Sequence, residues 1–402
     1  MENYPDSNNN FNNPQNPSQG YNAPNNTNQY NNRQYNAPSV IYQNTYNGNP
    51  AAPQYHYGNP MPPMIDQEYY KEQQRKFYMR RKEEKEIKKT SNLLGISLLL
   101  CLGMVFVFSF IILFGPDSLT MGVSFSTDAI INIIYSVIVV GFTYFLFGFI
   151  LKKIKDPTTK KREYKPVINY NPPKDVKKAV LLIVMAFGGC MIANYATAII
   201  VTFMDMLGVD SGYSSVQNPS DITDIITMFI ATAVIPPLIE EYAMRGVVLS
   251  SLTKHSNALA ILGSAYIFGI FHGNFTQIPF AFLCGLIFAY MTIVTNSIWP
   301  AVIVHALNNS LSCIDSVISM YFDSDISNIF YYASSVGGIV LGGIALIIYL
   351  KLYKKEDSAI FDEKSSLLTT KEKFVKFLTS PVMIIATVAF VLQAISTAAS
   401  AS

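Results

Sequence analysis

Glu240, Glu241 and Arg245 lie in PPLIEEYAMRG, His272 closes FGIFHGN, and His305 and Asn309 lie in WPAVIVHALNN. The segments around them are otherwise apolar. Ionisable side chains in such segments are costly in a bilayer and mark function. A carboxylate, two imidazoles and an amide are groups that can activate water and hold a developing oxyanion. Glu240 and Glu241 are neighbours, so on a helix they project about 100° apart and do not face one point. Arg245 stands one turn after Glu241, in the favourable acid-before-base order. This spacing assigns Arg245 to Glu241 as a buried ion pair and leaves Glu240 to face a cavity. Phe268 precedes His272 by one turn and Asn309 follows His305 by one turn, each on its histidine's face. Pro236 and Pro237 remove helical hydrogen bonds just before the acidic pair and bend the chain there. The plainer alternative is a structural ion pair with two packing histidines. Two intramembrane histidines out of four in the chain, together with a buried glutamate, weigh against it.

These residues need elements to hold them, and the elements are membrane helices. Half of the 402 residues are hydrophobic and 14% are charged, against about 25% charged in soluble domains. Spans of ~20 apolar residues fall near 92–114, 129–151, 179–204, 222–252, 257–272, 276–295, 298–319 and 329–350, with a shorter ninth at 381–398. The expected fold is all-α: a polytopic membrane helical bundle of eight to nine transmembrane helices. Residues 1–66 form an Asn/Pro/Tyr-rich tail read as disordered. Residues 67–91 are a charged juxtamembrane segment, expected as a surface helix or a solvated stalk. Residues 92–178 hold two spans and a basic loop, 179–319 the site-bearing domain, and 320–402 the C-terminal spans and loop.

The charges orient the bundle. Nine Lys/Arg fall in 71–89, ten in 152–178 and seven in 351–376, which is 26 of 29. The intervening loops 115–128, 205–221 and 320–328 carry aspartates and no Lys or Arg. By the positive-inside rule the N-terminus is cytoplasmic. A ninth span puts the C-terminus outside. Measured from the inner ends of their spans, Glu240 and His272 come to ~21 and ~22 Å, and His305 to ~12 Å. A net charge of +2 argues against a nucleic-acid partner. Four cysteines, all in apolar runs, exclude a disulfide-stapled secreted domain.

The three motifs together resemble the CPBP family of intramembrane proteases, also called the Abi or type II CAAX-endopeptidase family. That family's motifs are EExxxR, FxxxH and HxxxN. Here they read Glu240-Glu241-Tyr-Ala-Met-Arg245, Phe268-Gly-Ile-Phe-His272 and His305-Ala-Leu-Asn-Asn309, in the same order. The resemblance covers about 179–319. It implies a general base at Glu240, water positioning by His272 and oxyanion stabilisation by His305 and Asn309. Glu241, Arg245 and Phe268 would support them. It also implies a protein or peptide substrate, lipidated or not, in contact with the lipid bilayer. Glu240, His272 and His305 could instead hold Zn²⁺ as a two-His, one-carboxylate set. The glutamate-base mechanism needs no bound metal, and the chain has no HExxH, so metal-independent hydrolysis is preferred. A bacterial plasma membrane is the expected setting. The competing readings are a catalytically inactive scaffold or bacteriocin-immunity protein of the same fold, and a proton relay or transporter. No repeat of the spans supports the last.

Overall fold

The structure is a computed structural model that describes residues 66–114, 125–153, 170–208, 219, 221–361 and 366–401. Of the tail 1–66 read as disordered, residues 1–65 lie outside the described residues, as do parts of the loops at 115–128, 152–178, 205–221 and 351–376. Among the described residues every extended element is helical. Eight helices are long and apolar enough to cross a membrane, and the chain is a multi-pass helical membrane protein.

The first element, α1 (Asp66–Phe114), runs 49 residues without a break, or ~74 Å. A ~30 Å hydrocarbon layer takes less than half of this length. The charged juxtamembrane segment is therefore the same helix as the first span, and its base is docked. Arg80 pairs with Glu372 at 2.5 Å and Lys376 with Glu84 at 3.1 Å, which ties α1 to α13 (Thr370–Leu378). The second span is α2 (Phe125–Tyr135) and α3 (Thr143–Lys153), joined by a π-helical stretch at Ser136–Phe142. The third is α4 (Val176–Met206), its first turn closed by Asp175, which accepts from the Lys178 N–H.

The fourth span, Ile222–Leu252, carries the acidic pair and is the most irregular. It consists of α5 (Ile222–Met228), a π-helical stretch Phe229–Val234, α6 (Ile235–Glu241), a second π-helical stretch Tyr242–Leu249 and α7 (Ser250–Leu252). Pro236 and Pro237 open α6, where a missing N–H costs least. The bend expected from them is realised as a change of helical register immediately before Glu240.

The expected span at 257–272 is α8 (Asn257–Phe271), only 15 residues, or ~22 Å. It is too short to cross by itself. The turn after it packs its polar groups inward: Asn274 Oδ1 accepts from the Gln277 N–H and the Thr276 hydroxyl, both at 2.8 Å. Gly273, at φ +61, supplies the left-handed step. α8 then packs against α9 (Gln277–Thr295) so closely that a Cβ on Gly285 would meet Ala265 Cα at 2.9 Å. Next come α10 (Trp299–Tyr321) and α11 (Ser324–Leu352), and α11 lies on α4 through Gly188, Gly338 and Gly342. A short α12 (Lys354–Ser358) and α13 lead to α14 (Pro381–Ala401). The ninth span expected at 381–398 is thus a helix of full crossing length. It packs on α1 and α8, with Ser380 bonded to Ser91 at 2.6 Å and Tyr266 to Thr387 at 2.7 Å.

Candidate active site

The site is assembled from three helices that meet inside the bundle: α6 with the π-helical stretch after it, α8, and α10. Glu241 and Arg245 are fully buried, and Arg245 Nε lies 2.8 Å from Glu241 Oε2. The guanidinium sits 5.0 Å from the Phe268 ring centre and 5.6 Å from that of Phe288. A buried charge is tolerated only when paired. Here the pairing is a carboxylate at one edge and two aromatic faces on the others.

His305 reaches both glutamates. Its Nδ1 lies 3.1 Å from Glu241 Oε1, and its Nε2 approaches Glu240 Oε2 at 3.9 Å. The Glu241–Arg245 pair assigned from helical spacing is present, and His305 joins it as a further partner of Glu241. Neighbouring carboxylates do diverge on their helix, but an imidazole on a facing helix is wide enough to touch one with each nitrogen. The contact also removes the depth discrepancy expected for His305. The turn before α10 is covered by residues 170–171, where Tyr170 accepts from Trp299 Nε1 at 2.6 Å and Asn171 from Ser297 at 2.8 Å.

Because a carboxylate can only accept from an imidazole N–H, Glu241 fixes Nδ1–H on His305 and turns Nε2 toward Glu240. Glu240 Oε2 is buried and meets no hydrogen-bond donor among the described residues. His272 stands at the end of α8, and its Nδ1–H donates to the Phe268 carbonyl at 2.8 Å. That bond leaves its Nε2 edge free to accept. Phe268 is the hub, with its ring 5.0 Å from His272 and 6.0 Å from His305.

Asn309 Nδ2 donates to the Thr232 carbonyl at 2.9 Å. That carbonyl would serve the N–H four residues on in a regular helix, but residue 236 is proline and has none. The proline in the fourth span thus creates the acceptor that docks Asn309, although the two positions are 77 residues apart in sequence. Two neighbours went unnoticed in the sequence. Phe288 stacks obliquely on His305 at 5.7 Å, and nothing distinguishes it among 26 phenylalanines. Asn308, beside Asn309, is buried with its Oδ1 lacking a donor among the described residues. The doubled asparagine was the available signal.

The zinc alternative was tested on the donor set. Among the described residues no group of three or more His, Cys, Asp or Glu side chains is placed to hold a metal.

A multi-pass bundle with a carboxylate–imidazole cluster sunk in its spans defines an intramembrane site. The family model described as type II CAAX prenyl endopeptidase Rce1-like matches residues 222–311, which include all three motifs. Over those residues the chain is similar to the type II CAAX endopeptidases, the likeness that the three motifs carry. A Bacillus subtilis (strain 168) protein named "Putative membrane peptidase YdiL" is 26% identical over 174 residues, 41% of this chain and 67% of that protein. No solved structure matches the chain. Both similarities are to membrane peptidases, the first over residues 222–311 and the second over 41% of this chain.

Proposed function

We propose that this chain is an intramembrane endopeptidase that hydrolyses a peptide bond of a membrane-associated protein or peptide, using water activated by Glu240. The observation that carries the reading is the unequal use of the paired glutamates. Glu241 meets Arg245 Nε at 2.8 Å and His305 Nδ1 at 3.1 Å, whereas the buried Glu240 Oε2 comes only to 3.9 Å from His305 Nε2. A carboxylate left in that state is a general base held in a low-dielectric pocket.

In this reading Glu240 takes a proton from water as the oxygen attacks the carbonyl carbon. His272, its Nδ1 anchored on Phe268, orients that water through Nε2. His305, held at Nδ1 by Glu241, stands beside the developing oxyanion, and Asn309 offers it its remaining amide N–H. Glu240 then passes its proton to the leaving amine, and the carbonyl re-forms. The orientation with a cytoplasmic N-terminus and a bacterial plasma-membrane setting belong to the same proposal and are supported by the loop charges.

The test uses the full chain reconstituted in liposomes with fluorogenic peptides, unmodified or carrying a prenylated cysteine. Cleavage is expected for the wild type, a loss of at least ~100-fold in Glu240→Gln, and no change on adding a zinc chelator. Equal cleavage by wild type and Glu240→Gln would refute the glutamate mechanism. An intact cellular trait in both Glu240→Gln and His272→Ala would favour the non-catalytic scaffold.

A further inference from the structure

α10 is the least apolar of the eight crossing helices, and its polar residues are ordered. After His305 come Asn308 and Asn309, then Ser312, then Asp315 and Ser316, then Ser319. Intervals of three and four place all of them on one face, from the Glu240 contact to the last turn. Ile303, Leu307 and Ile314 occupy the opposite face and are 43%, 46% and 39% exposed, as residues facing lipid should be. The polar face is open as well: Ser312 and Ser319 are exposed and Ser316 is half-buried.

Packed seams run on both sides of that polar face. On one side Asn309 bonds Thr232, and Cys313 and Val317 pack with Met228 and Phe229 of the fourth span. On the other, Leu311 packs against the cluster built by α4 and α9. Open hydroxyls between two closed seams make a groove floored by α10.

Serines in membrane helices commonly satisfy themselves on their own backbone. Ser316 and Ser319 do so, at 3.0 Å to Ser312 O and 2.9 Å to Asp315 O. The acceptors along the groove do not have that recourse. Asn308, 7% exposed, has an Oδ1 with no donor among the described residues, and the same holds for Asp315 Oδ1 and for Glu240 Oε2 at the inner end. Each such atom is destabilising if it stays dry. Three along one groove have one common remedy, a donor small enough to follow it.

We propose that the polar face of α10 lines a water-filled groove running from Glu240 and His305 to the end of the helix at Phe322, and that it delivers the water consumed at the site. That the groove is wet stands independently of the peptidase reading; its delivery of the attacking water rests on that reading. The open end carries Asp315, with Asp323 and Asp325 just beyond, so it attracts cations over anions.

Cysteines placed in the full chain in liposomes test both parts. Ser312→Cys, Ser316→Cys and Ser319→Cys line the groove; Leu307→Cys and Ile314→Cys face lipid. The four native cysteines are buried, and the wild type gives the background. Thiols react with methanethiosulfonates as thiolates, which need water. Groove positions are expected to label at least ~10-fold faster than lipid-facing ones with a charged reagent, and the trimethylammonium reagent about 3- to 10-fold faster than the sulfonate. Equal, slow labelling at all five positions would overturn the groove. An adduct at Ser312→Cys is expected to stop peptide cleavage, while one at Ile314→Cys leaves it intact. Cleavage that persists through the Ser312→Cys adduct would overturn the water-delivery role. Fast groove labelling in a protein that cleaves nothing would count against the peptidase reading alone.

Discussion

Replacing Arg245 by methionine removes one charge from a fully desolvated pair while nearly preserving volume. The guanidinium and the Glu241 carboxylate approach to 2.8 Å with neither exposed. At an effective dielectric of about 20 and a mean charge separation of roughly 4 Å, their attraction is about 4 kcal/mol. Loss of one member of a buried pair costs about 3–5 kcal/mol, because the partner is left as an uncompensated charge. Arg245 also faces two aromatic rings, worth roughly 1–2 kcal/mol together. Arg245→Met is therefore expected to destabilise the bundle by about 4 kcal/mol. In the double variant Glu241→Gln/Arg245→Met no stranded charge is left at the pair, so it should recover about half of that loss and cost well below the sum of the two single losses. Reversible unfolding in mixed micelles measures all four corners of the cycle. Single losses that sum to the double loss within ~0.5 kcal/mol would mean the two side chains act independently, and the energetic description of the site would fail.

Two further outcomes are expected. A Cβ on Gly188 would stand 2.6 Å from the Gly338 carbonyl oxygen, so Gly188→Ala should push α4 from α11 and cost roughly 1–3 kcal/mol, whereas Gly337→Ala, with open space around its Cβ, should be neutral or stabilising in the same unfolding assay. The N–H and hydroxyl of Thr369, with Arg80 behind them, hold the Glu372 carboxyl below the usual carboxylate range. Its contribution to α13 is present above the unfolded pKa and is lost as pH falls through the lower folded value, so hydrogen-exchange protection across 370–378 should drop on acidification, and Thr369→Ala should flatten that dependence.

The helical content and the crossing helices were legible because lipid leaves the backbone few choices and hydropathy reports them directly. The Glu241–Arg245 contact was legible because it is made within one turn. What lay between helices was not. No local pattern says that His305, 64 residues from Glu241, touches both glutamates, or that Phe288 closes over Arg245. The fusion of the charged segment 67–91 with the first span was also hidden, since composition changes sharply there while helix propensity does not. The same limit applies to Lys178, which a basic loop reading leaves in water. It is buried and paired at 2.5 Å with Asp357, a residue 179 positions away, and Asp357 in turn accepts from Tyr349.

The shortness of α8 bears on how the protein is made. A 15-residue helix ends within the membrane, so the turn after it, and His272 with it, cannot be held by lipid. Neighbours hold them instead. Asn274 and Thr276 bond within the turn, α9 packs along one side of α8, and α14 closes the other through Thr387 on Tyr266 and Thr397 near Gly273. α14 lies more than a hundred residues downstream of His272 in the order of synthesis. A ribosome that has released everything up to α13 has produced every residue of the three motifs, yet the turn that carries His272 still lacks one of its walls. Completion of the site is thereby timed to insertion of α14, and a chain interrupted before it carries the motifs without the support that holds one of them in place.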